Sequence, residues 1–240
     1  MGKFDGKWDV EMGFQSYSRD LDDSNYAVEK EPYSRNGANG FFKRATDFLI
    51  ALVALVFLLP ILIPIAIAIR ISDGGPALFK QTRIGRDGNN FRCYKFRSMV
   101  IDADVRLKKL LDTDPRARRE WQATQKLEND PRITAFGRFL RKSSLDELPQ
   151  LINILRGDMS IVGPRPIVQN EIEKYGDYFT YYCQVRPGLT GLWQVSGRSD
   201  TSYGERVALD VRYVSDWSYS SDIKIMMMTV PAVLLSDGAK

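Results

Sequence analysis

Histidine is absent from all 240 residues of the chain. This absence excludes Ser-His-Asp and Cys-His catalytic triads, the usual histidine-containing zinc sites and any histidine general base. A reaction catalysed by this chain must therefore depend on carboxylates, lysines, tyrosines or thiols.

Cysteine is nearly absent as well. Cys93 and Cys183 are the only two, they are far apart in sequence, and they form no C-x-x-C pair. This pattern indicates neither a disulfide framework nor a zinc knuckle. We expect both to be reduced, partly buried thiols that face the cytoplasm.

Charge is missing from one long stretch, 48–69, in which 22 consecutive residues are uncharged and almost all apolar. At about 1.5 Å per residue, a helix over this stretch would be roughly 33 Å long, enough for a hydrocarbon core of about 30 Å. Pro60 and Pro64 interrupt the stretch near its middle. Each removes a backbone hydrogen bond, so the helix is expected to bend or break there.

Basic residues flank this stretch equally. Four precede it and four follow it within twenty residues: Lys30, Arg35, Lys43 and Arg44 before it, and Arg70, Lys80, Arg83 and Arg86 after it. Because Lys and Arg prefer the cytoplasmic side, equal flanks favour a helix that enters the membrane, breaks at the prolines and leaves by the same face. We therefore predict a re-entrant membrane helix at 41–71. A spanning helix stays the alternative, since spanning helices also tolerate proline.

The first 40 residues differ from the rest in charge. They hold eight acidic and five basic residues, a net charge of −3, so the remaining residues carry +7 of the total of +4. The segment lacks apolar periodicity and a signal-peptide core, which predicts a disordered polar tail. A regulatory or partner-binding role for it stays open. The expected organisation is this tail at 1–40, the membrane helix at 41–71 and a cytoplasmic domain at 72–240.

The polar part of the chain is predicted to be mainly helical with one β-hairpin, an α+β fold. Stretches at 77–84 and 91–96, separated by a turn, predict two antiparallel strands. Helical spacing recurs in five segments, at 101–111, 116–126, 148–155, 203–214 and 223–235. The last segment is too short to span a membrane, so we expect it at the interface or in the core.

Two adjacent carboxylates, Asp146 and Glu147, lie in a segment rich in arginine and lysine. Ser144 and Glu147 fit the S-x-x-E capping box, so the pair could simply begin a helix. Carboxylates in a first helical turn would also be kept ionised by the helix dipole, and such an aspartate can bind magnesium or attack phosphorus. With the basic residues and the membrane helix, the pair indicates phosphate chemistry at a bilayer.

Five sequence blocks, in this order, resemble the bacterial sugar transferase family of monotopic phosphoglycosyl transferases. They are Y-K-F-R-S-M at 94–99, L-R-K-S-S-L-D-E-L-P-Q at 140–150, R-G-D-M-S at 156–160, V-G-P-R-P at 162–166 and R-P-G-L-T-G-L-W-Q at 186–194. The likeness covers about 41–240 and is greatest to undecaprenyl-phosphate galactose or glucose phosphotransferases that initiate exopolysaccharide synthesis. One departure is Leu59 before Pro60, where the family often has Ser-Pro; it concerns the helix break and not the acidic pair.

The resemblance implies a two-step transfer of a sugar 1-phosphate, of galactose or glucose, from a UDP-sugar to undecaprenyl phosphate, with Mg²⁺ and release of UMP. Asp146 would be the nucleophile that forms a phosphosugar–enzyme intermediate. Glu147 would assist at the metal or position the pair, so both carboxylates are expected metal ligands. The enzyme would act at the cytoplasmic face of the inner membrane. Two steps let two anionic substrates use one site in turn.

Five basic side chains are expected to bind the substrate phosphates. Arg141 matches a family arginine associated with phosphate, and the others lie in the matching blocks: Lys95, Arg97, Arg165 and Arg186. Each could instead be structural, since the prolines and glycines beside Arg165 and Arg186 also suit an ordinary turn. Trp193 could stack on uracil, but a position in the core is expected.

Several alternatives stay open. The same chemistry could use a UDP-N-acetylhexosamine, or the chain could be a membrane-anchored scaffold of polysaccharide assembly without activity. The intact acidic pair argues against the scaffold. Nucleic-acid binding is not expected, because the basic residues are dispersed among acidic ones and form no stripe interleaved with aromatic residues. The sequence does not decide whether the chain forms a homodimer.

Overall fold

The computed structural model describes residues 38–124, 127–196 and 202–234. The elements in chain order are helix α1 (Phe41–Asp73), strands β1 (Leu78–Ile84) and β2 (Asn90–Phe96), helices α2 (Ala103–Thr113), α3 (Pro115–Thr124), α4 (Ala135–Lys142) and α5 (Gln150–Arg156), strand β3 (Ser160–Val162), helices α6 (Ile172–Tyr175) and α7 (Phe179–Cys183), strand β4 (Gly188–Thr190), and helices α8 (Leu192–Ser196), α9 (Tyr203–Ser215) and α10 (Tyr219–Leu234). The predicted mainly helical α+β fold is confirmed. Except for 38–40, the predicted polar tail lies outside the described residues.

The predicted hairpin is present. Strands β1 and β2 pair antiparallel, from Leu78 opposite Phe96 to Ile84 opposite Asn90. In the turn between them Asp87 and Gly88 have φ of 58° and 74°, the left-handed conformation that a tight Asp-Gly turn requires. Because side chains alternate along a strand, one face of the hairpin carries a polar set from both strands, namely Gln81, Arg83, Cys93 and Lys95.

All five predicted helices of the polar part have counterparts in α2, α3, α5, α9 and α10. Helix α10 was expected at the interface or in the core, and its two faces differ accordingly. Ile225 is buried, whereas Met227 and Val230 are exposed. Both cysteines are free, with Cys93 buried and Cys183 half-buried, as predicted.

Helix α1 is the membrane candidate, long and apolar enough to cross a bilayer. It runs through Pro60 and Pro64 as one 33-residue helix, so the predicted break is not an interruption of helical structure. Packing explains this, because residues on both sides of the prolines are held by the rest of the protein. Gly74, with φ of 74°, ends the helix, and its N–H donates to Arg70 O at 2.9 Å.

A single stripe of α1 is buried along nearly its whole length. The buried positions recur every three or four residues or at multiples of that spacing, and they are Lys43, Asp47, Ala51, Leu62, Ile65 and Ile69. Ala51 packs in a cluster with Leu151 and Ile154 of α5. Leu62, Ile65 and Ile69 pack with Phe96 and Leu140. The opposite face of the helix is apolar and exposed, with Phe57 at 80% exposure, so it suits contact with lipid.

Buried charges fix the first turns of α1. The Lys43 ammonium lies 2.9 Å from both Asp47 Oδ1 and Asp222 Oδ2. Ser160 Oγ donates to Asp47 Oδ2 at 2.8 Å, and the Tyr213 hydroxyl donates to Asp222 Oδ1 at 2.9 Å. This network joins α1 to β3, α9 and α10. Charges survive burial when they are paired and hydrogen-bonded in this way.

Candidate active site

The acidic pair lies in a 3₁₀ turn, Leu145–Glu147, that links α4 to α5. The predicted capping box is wrong, because the Ser144 side chain makes no capping hydrogen bond. Ser144 has φ of 56°, a left-handed conformation, whereas a capping serine requires an extended backbone. The carboxylate of Glu147 instead binds a side chain from the hairpin. Strained backbone of this kind often occurs at functional sites.

Helix α4 places Arg141 beside the pair. The Thr134 hydroxyl caps this helix, accepting from Gly137 N at 2.8 Å. Gly137 lies directly against Ser98, and a Cβ at this glycine would fall 1.9 Å from Ser98 O. This close approach lets Arg141 Nε donate to Ser98 Oγ at 2.9 Å. Burial raises the pKa of Asp146, and the positive charge of Arg141 partly opposes that rise.

Asp146 is 9% exposed. Burial, with a smaller contribution from the adjacent negative charge of Glu147, raises its pKa to about 6, while Lys95 and Arg141 oppose the rise. At neutral pH the Asp146 carboxylate is therefore mostly ionised but poorly solvated. An anionic oxygen with little hydration and nearby cations suits nucleophilic attack on phosphorus.

Glu147 has a different environment from its neighbour. Its Oε1 accepts a hydrogen bond from Nζ of Lys95, a residue of β2, at 2.5 Å. Burial alone would raise the pKa of Glu147, but the positive charges of Lys95 and Arg165 outweigh burial and lower it. The two adjacent carboxyls therefore have pKa values shifted in opposite directions, which is the usual mark of two different chemical roles.

Glu147 lines a pocket whose walls are strongly basic. Its lining comprises Arg83, Cys93, Lys95, Glu147, Gln150, Arg165, Pro166, Gly188, Leu189 and Gln194. The hairpin contributes Arg83 and Lys95, and the loop after β3 contributes Arg165. Asp146 is not among the lining residues. Three cations around one carboxylate suit a ligand that carries several negative charges.

Two glycines set the position of Arg165. Strands β3 and β4 pair in parallel, with Ser160 opposite Gly188 and Val162 opposite Thr190. A Cβ at Gly163 would lie 2.5 Å from Arg186 O, and one at Gly188 would lie 2.1 Å from Gly163 N. Only glycine permits this approach of the two backbones. The following residues bring the Arg165 guanidinium to 5.8 Å from the Trp193 ring centroid.

Arg97 and Arg186, two predicted phosphate ligands, lie elsewhere. Arg97 binds Asp73 and donates to Pro76 O at 2.5 Å, so it ties the end of β2 to the end of α1. Arg186 donates to Gly157 O at 2.8 Å, close to the C-terminus of α5. Burial, then repulsion from Arg86 and Arg44, lowers the Arg186 pKa. The structure gives both residues structural partners and brings neither to the pocket.

Sequence reasoning missed two arginines near the pocket. Arg83 donates to Pro166 O at 2.9 Å and lies 3.7 Å from Glu171. Arg206 of α9 is buried, 3.6 Å from Glu171 and 5.0 Å from the Trp193 ring centroid. The signal for Arg83 was the hairpin register, which puts it on the same face as Lys95. The sequence carried no local signal for Arg206.

Trp193 was expected in the core, but the structure leaves it half-buried. Its ring lies near two guanidinium groups, 5.8 Å from Arg165 and 5.0 Å from Arg206, both distances to the ring centroid. Such cation–π contacts orient arginine side chains. Trp193 therefore helps to aim the basic wall of the pocket.

The acidic pair can supply part of a magnesium site. Within residues 38–124, 127–196 and 202–234, no group of three or more Cys, Asp or Glu side chains is arranged to hold a metal. Mg²⁺ does not need one, because it commonly binds one or two protein carboxylates and completes its shell with water and substrate phosphates. Asp146 and Glu147 together fit that requirement.

The chain is similar to known proteins over most of its length. The sequence profile of the bacterial sugar transferase family matches residues 38–236. The chain is 47% identical over 216 residues to the exopolysaccharide production protein ExoY of Rhizobium meliloti, covering 90% of this chain and 96% of that protein.

Two longer proteins match over the same region. One is the undecaprenyl-phosphate galactose phosphotransferase of Salmonella typhimurium, with 52% identity over 199 residues, 83% of this chain and 42% of that protein. The other is the UDP-glucose:undecaprenyl-phosphate glucose-1-phosphate transferase of Escherichia coli, with 42% identity over 203 residues, 81% of this chain and 40% of that protein. This chain thus spans about two fifths of each.

Proposed function

The chain belongs to the bacterial sugar transferase family, and we propose that it is a phosphoglycosyl transferase that moves a sugar 1-phosphate from a UDP-sugar to undecaprenyl phosphate. The names of the Salmonella and Escherichia relatives describe transfers of this kind. The similarity to the exopolysaccharide production protein ExoY supports a role of the product in exopolysaccharide assembly.

One observation carries the proposal. The buried Asp146 carboxylate, with Arg141 and Lys95 acting on it, lies next to a glutamate whose pocket also holds Arg83 and Arg165. A nucleophile beside a basic pocket is what attack on a diphosphate requires, since the cations bind the substrate and stabilise charge in the transition state.

In the first step, an Asp146 carboxylate oxygen attacks the β-phosphorus of the UDP-sugar. A bond forms between that oxygen and phosphorus, and the bond from the β-phosphorus to the bridging oxygen breaks. UMP leaves with the bridging oxygen and both bonding electrons, and the sugar phosphate stays on Asp146. Arg165, Arg83 and Lys95 bind the phosphate oxygens during this step.

In the second step, a phosphate oxygen of undecaprenyl phosphate attacks the same phosphorus. The bond to Asp146 breaks and the carboxylate is restored, so no proton donor or redox partner is needed. When bound to Asp146 and Glu147, Mg²⁺ supplies positive charge that neutralises the phosphates. Lys95 holds Glu147 in a fixed orientation throughout, through the 2.5 Å hydrogen bond.

The lipid substrate requires a membrane site, and we propose that α1 enters the membrane, bends at Pro60 and Pro64 without losing its helical structure, and returns to the same face. The buried stripe of α1 contacts the catalytic part on both sides of Pro60, from Asp47 to Ile69. A helix that crossed the bilayer would have lipid, rather than this domain, around its central turns. The equal basic flanks favour the cytoplasmic face of the inner membrane.

The sugar is proposed to be galactose or glucose, because the relatives named above act on one or the other. A UDP-N-acetylhexosamine is the alternative donor. The test is UMP release by the full chain in vesicles that contain undecaprenyl phosphate, with UDP-galactose, UDP-glucose and two UDP-N-acetylhexosamines compared, with Mg²⁺ and with a chelator. No UMP from any donor would overturn the proposal and return the chain to the scaffold alternative.

A further inference from the structure

Asn153 of α5 is completely buried and uses its side-chain amide on the neighbouring hairpin. We infer that it is a positioning residue, which sets Lys95 against Glu147 and so holds the acidic pair in its working geometry. The inference rests on the proposed function for its consequence in catalysis, whereas the positioning itself can be measured without any activity.

The contacts of Asn153 engage both ends of its amide. Oδ1 accepts from Tyr94 N at 2.9 Å. Nδ2 donates to Arg92 O at 2.7 Å and to Asp158 Oδ2 at 3.1 Å. Burying an amide costs free energy unless it is hydrogen-bonded, and here both donors and the acceptor are used.

The bonds to Tyr94 and Arg92 reproduce the pairing of a third strand. β2 pairs with β1 along one edge, and the Arg92 carbonyl and Tyr94 N–H point away from β1 on the free edge. A neighbouring strand would pair with residues two apart in the same way. The Asn153 amide thus occupies the place of a peptide group and fixes β2 to α5.

This attachment joins the two parts of the site. Lys95 directly follows Tyr94 in β2, and α5 begins three residues after Glu147. The ammonium of Lys95 then reaches Glu147 Oε1 at 2.5 Å. Among the described residues this is the one hydrogen bond between the hairpin and the Leu145–Glu147 turn, while Phe96 of β2 packs in one cluster with Leu145 and Leu148. Asn153 adds the directional contacts that set the position of β2, and with it Lys95, along α5.

The mutational test is a double-mutant cycle on the full chain, with UMP release as the readout. Asn153→Ala should lower kcat about 100-fold, because a misplacement of about 1 Å in a catalytic group costs that much. KM for the UDP-sugar should change far less, since Asn153 does not line the pocket. In a Lys95→Met background, Asn153→Ala should lower kcat by no more than about 3-fold, because residues that act through one another are not additive.

Tyr213→Phe is the matched control. It also removes a buried hydroxyl, which lies 2.9 Å from both Val162 O and Asp222 Oδ1, but it touches neither β2 nor the acidic pair. In the double variant, the loss in kcat caused by Tyr213→Phe should multiply with the loss caused by Lys95→Met. If the losses in kcat caused by Asn153→Ala and Lys95→Met also multiply in the double variant, positioning through Lys95 is refuted. Should Asn153→Ala not fold, Asn153→Asp serves, as it keeps the acceptor for Tyr94 N–H and removes both donor bonds.

A second measurement is independent of turnover. The acetylation rate of Lys95, followed by mass spectrometry, should rise several-fold in the Asn153 variant, because the ammonium loses its fixed carboxylate partner. Exposed Lys108 should react equally in both proteins. If the parent released no UMP but the Lys95 rate still rose, the proposed function alone would fail. An unchanged Lys95 rate would overturn the positioning role even in an active enzyme.

Discussion

Lys95 and Glu147 form an ion pair with 2.5 Å between Nζ and Oε1, and neither residue is near the other in sequence. This ion pair binds Glu147 to a fixed cation, whereas the pKa of the adjacent Asp146 is raised by burial. Adjacent residues thereby acquire different properties.

The first prediction concerns the nucleophile. Asp146→Asn keeps the shape of the side chain but removes the attacking anionic oxygen, so UMP release should fall by several orders of magnitude. Radiolabelled phosphosugar should no longer remain on the protein after denaturation. Asp102→Asn, at an exposed carboxylate that pairs with Arg106, is the matched control and should keep normal turnover. Near-normal activity of the Asp146 variant would remove this residue from the mechanism.

The same variant should be more stable than the parent at alkaline pH. Burial raises the Asp146 pKa from 3.8 to about 6, so the folded state binds the proton more tightly than the unfolded state. The protonated Asp146 carboxyl stabilises the folded state fully below pH 3.8, and this stabilisation is lost as pH rises through 6. The total contribution to the free energy of unfolding is about 3 kcal/mol. In urea unfolding with a chelator present, the free energy of unfolding of Asp146→Asn at pH 8 should exceed that of the parent by an amount of this order. The difference should disappear near pH 4; a constant difference would contradict the assignment.

Lys95→Met should change the pH dependence of the reaction. Lys95 lowers the pKa of both Asp146 and Glu147, so its removal raises both values. Ionised Asp146 is then lost at higher pH, and the acidic limb of the kcat/KM profile should move upward. The loss of activity should accordingly be larger at pH 6.5 than at pH 8.5. Lys80→Met, on the neighbouring strand, should leave the limb where it is. An unshifted limb in the Lys95 variant would disprove the coupling.

The topology of α1 can be tested by cysteine labelling. In a Cys183→Ser background, with Cys93 left buried, single cysteines replace exposed Phe42 in the first turn of α1 and exposed Lys80 in β1, which follows the helix. Both should react with a membrane-impermeant reagent only from the cytoplasmic side. Replacing Pro60 and Pro64 by leucine should restore two backbone hydrogen bonds and shift part of the population to a spanning form. Opposite accessibility of the two cysteines in the parent would exclude the re-entrant arrangement.

Two identical substitutions should have opposite effects on stability. Gly137→Ala puts a Cβ 1.9 Å from Ser98 O, so α4 must move and Arg141 must lose its bond to Ser98. Tm and UMP release should both fall. Gly204→Ala meets no atom within 4 Å in the first turn of α9, so it should stabilise the protein by about 0.4–1 kcal/mol. Thermal unfolding measures both. A tolerated Gly137→Ala would contradict the close contact.

Local patterns predicted the hairpin and five helices of the polar part, because periods of two and 3.6 residues are properties of the sequence itself. They did not predict the β3–β4 pair, whose three-residue strands lie far apart in the chain and depend on the contact of Gly163 with Gly188. Short strands carry too few residues for a period to show.

The sequence predicted only part of the site. The structure brings Lys95, Arg141 and Arg165 to the acidic pair, while Arg97 and Arg186, from equally similar blocks, bind backbone carbonyls elsewhere. Nearness in sequence to a motif does not tell which way a side chain points. The capping interpretation failed at Ser144 because the S-x-x-E spacing does not specify the φ angle of the serine.

The stripe on α1 has a practical consequence for production of the protein. Ala51, Leu62, Ile65 and Ile69 belong to the same hydrophobic clusters as α5, β2 and α4. A fragment that starts after Asp73 would therefore expose the inner surface of those clusters. It would also lack Lys43, the cationic partner of Asp222. We expect such a fragment to aggregate, whereas the full chain in detergent stays monodisperse. The membrane element is thus a structural part of the catalytic unit and not a removable anchor.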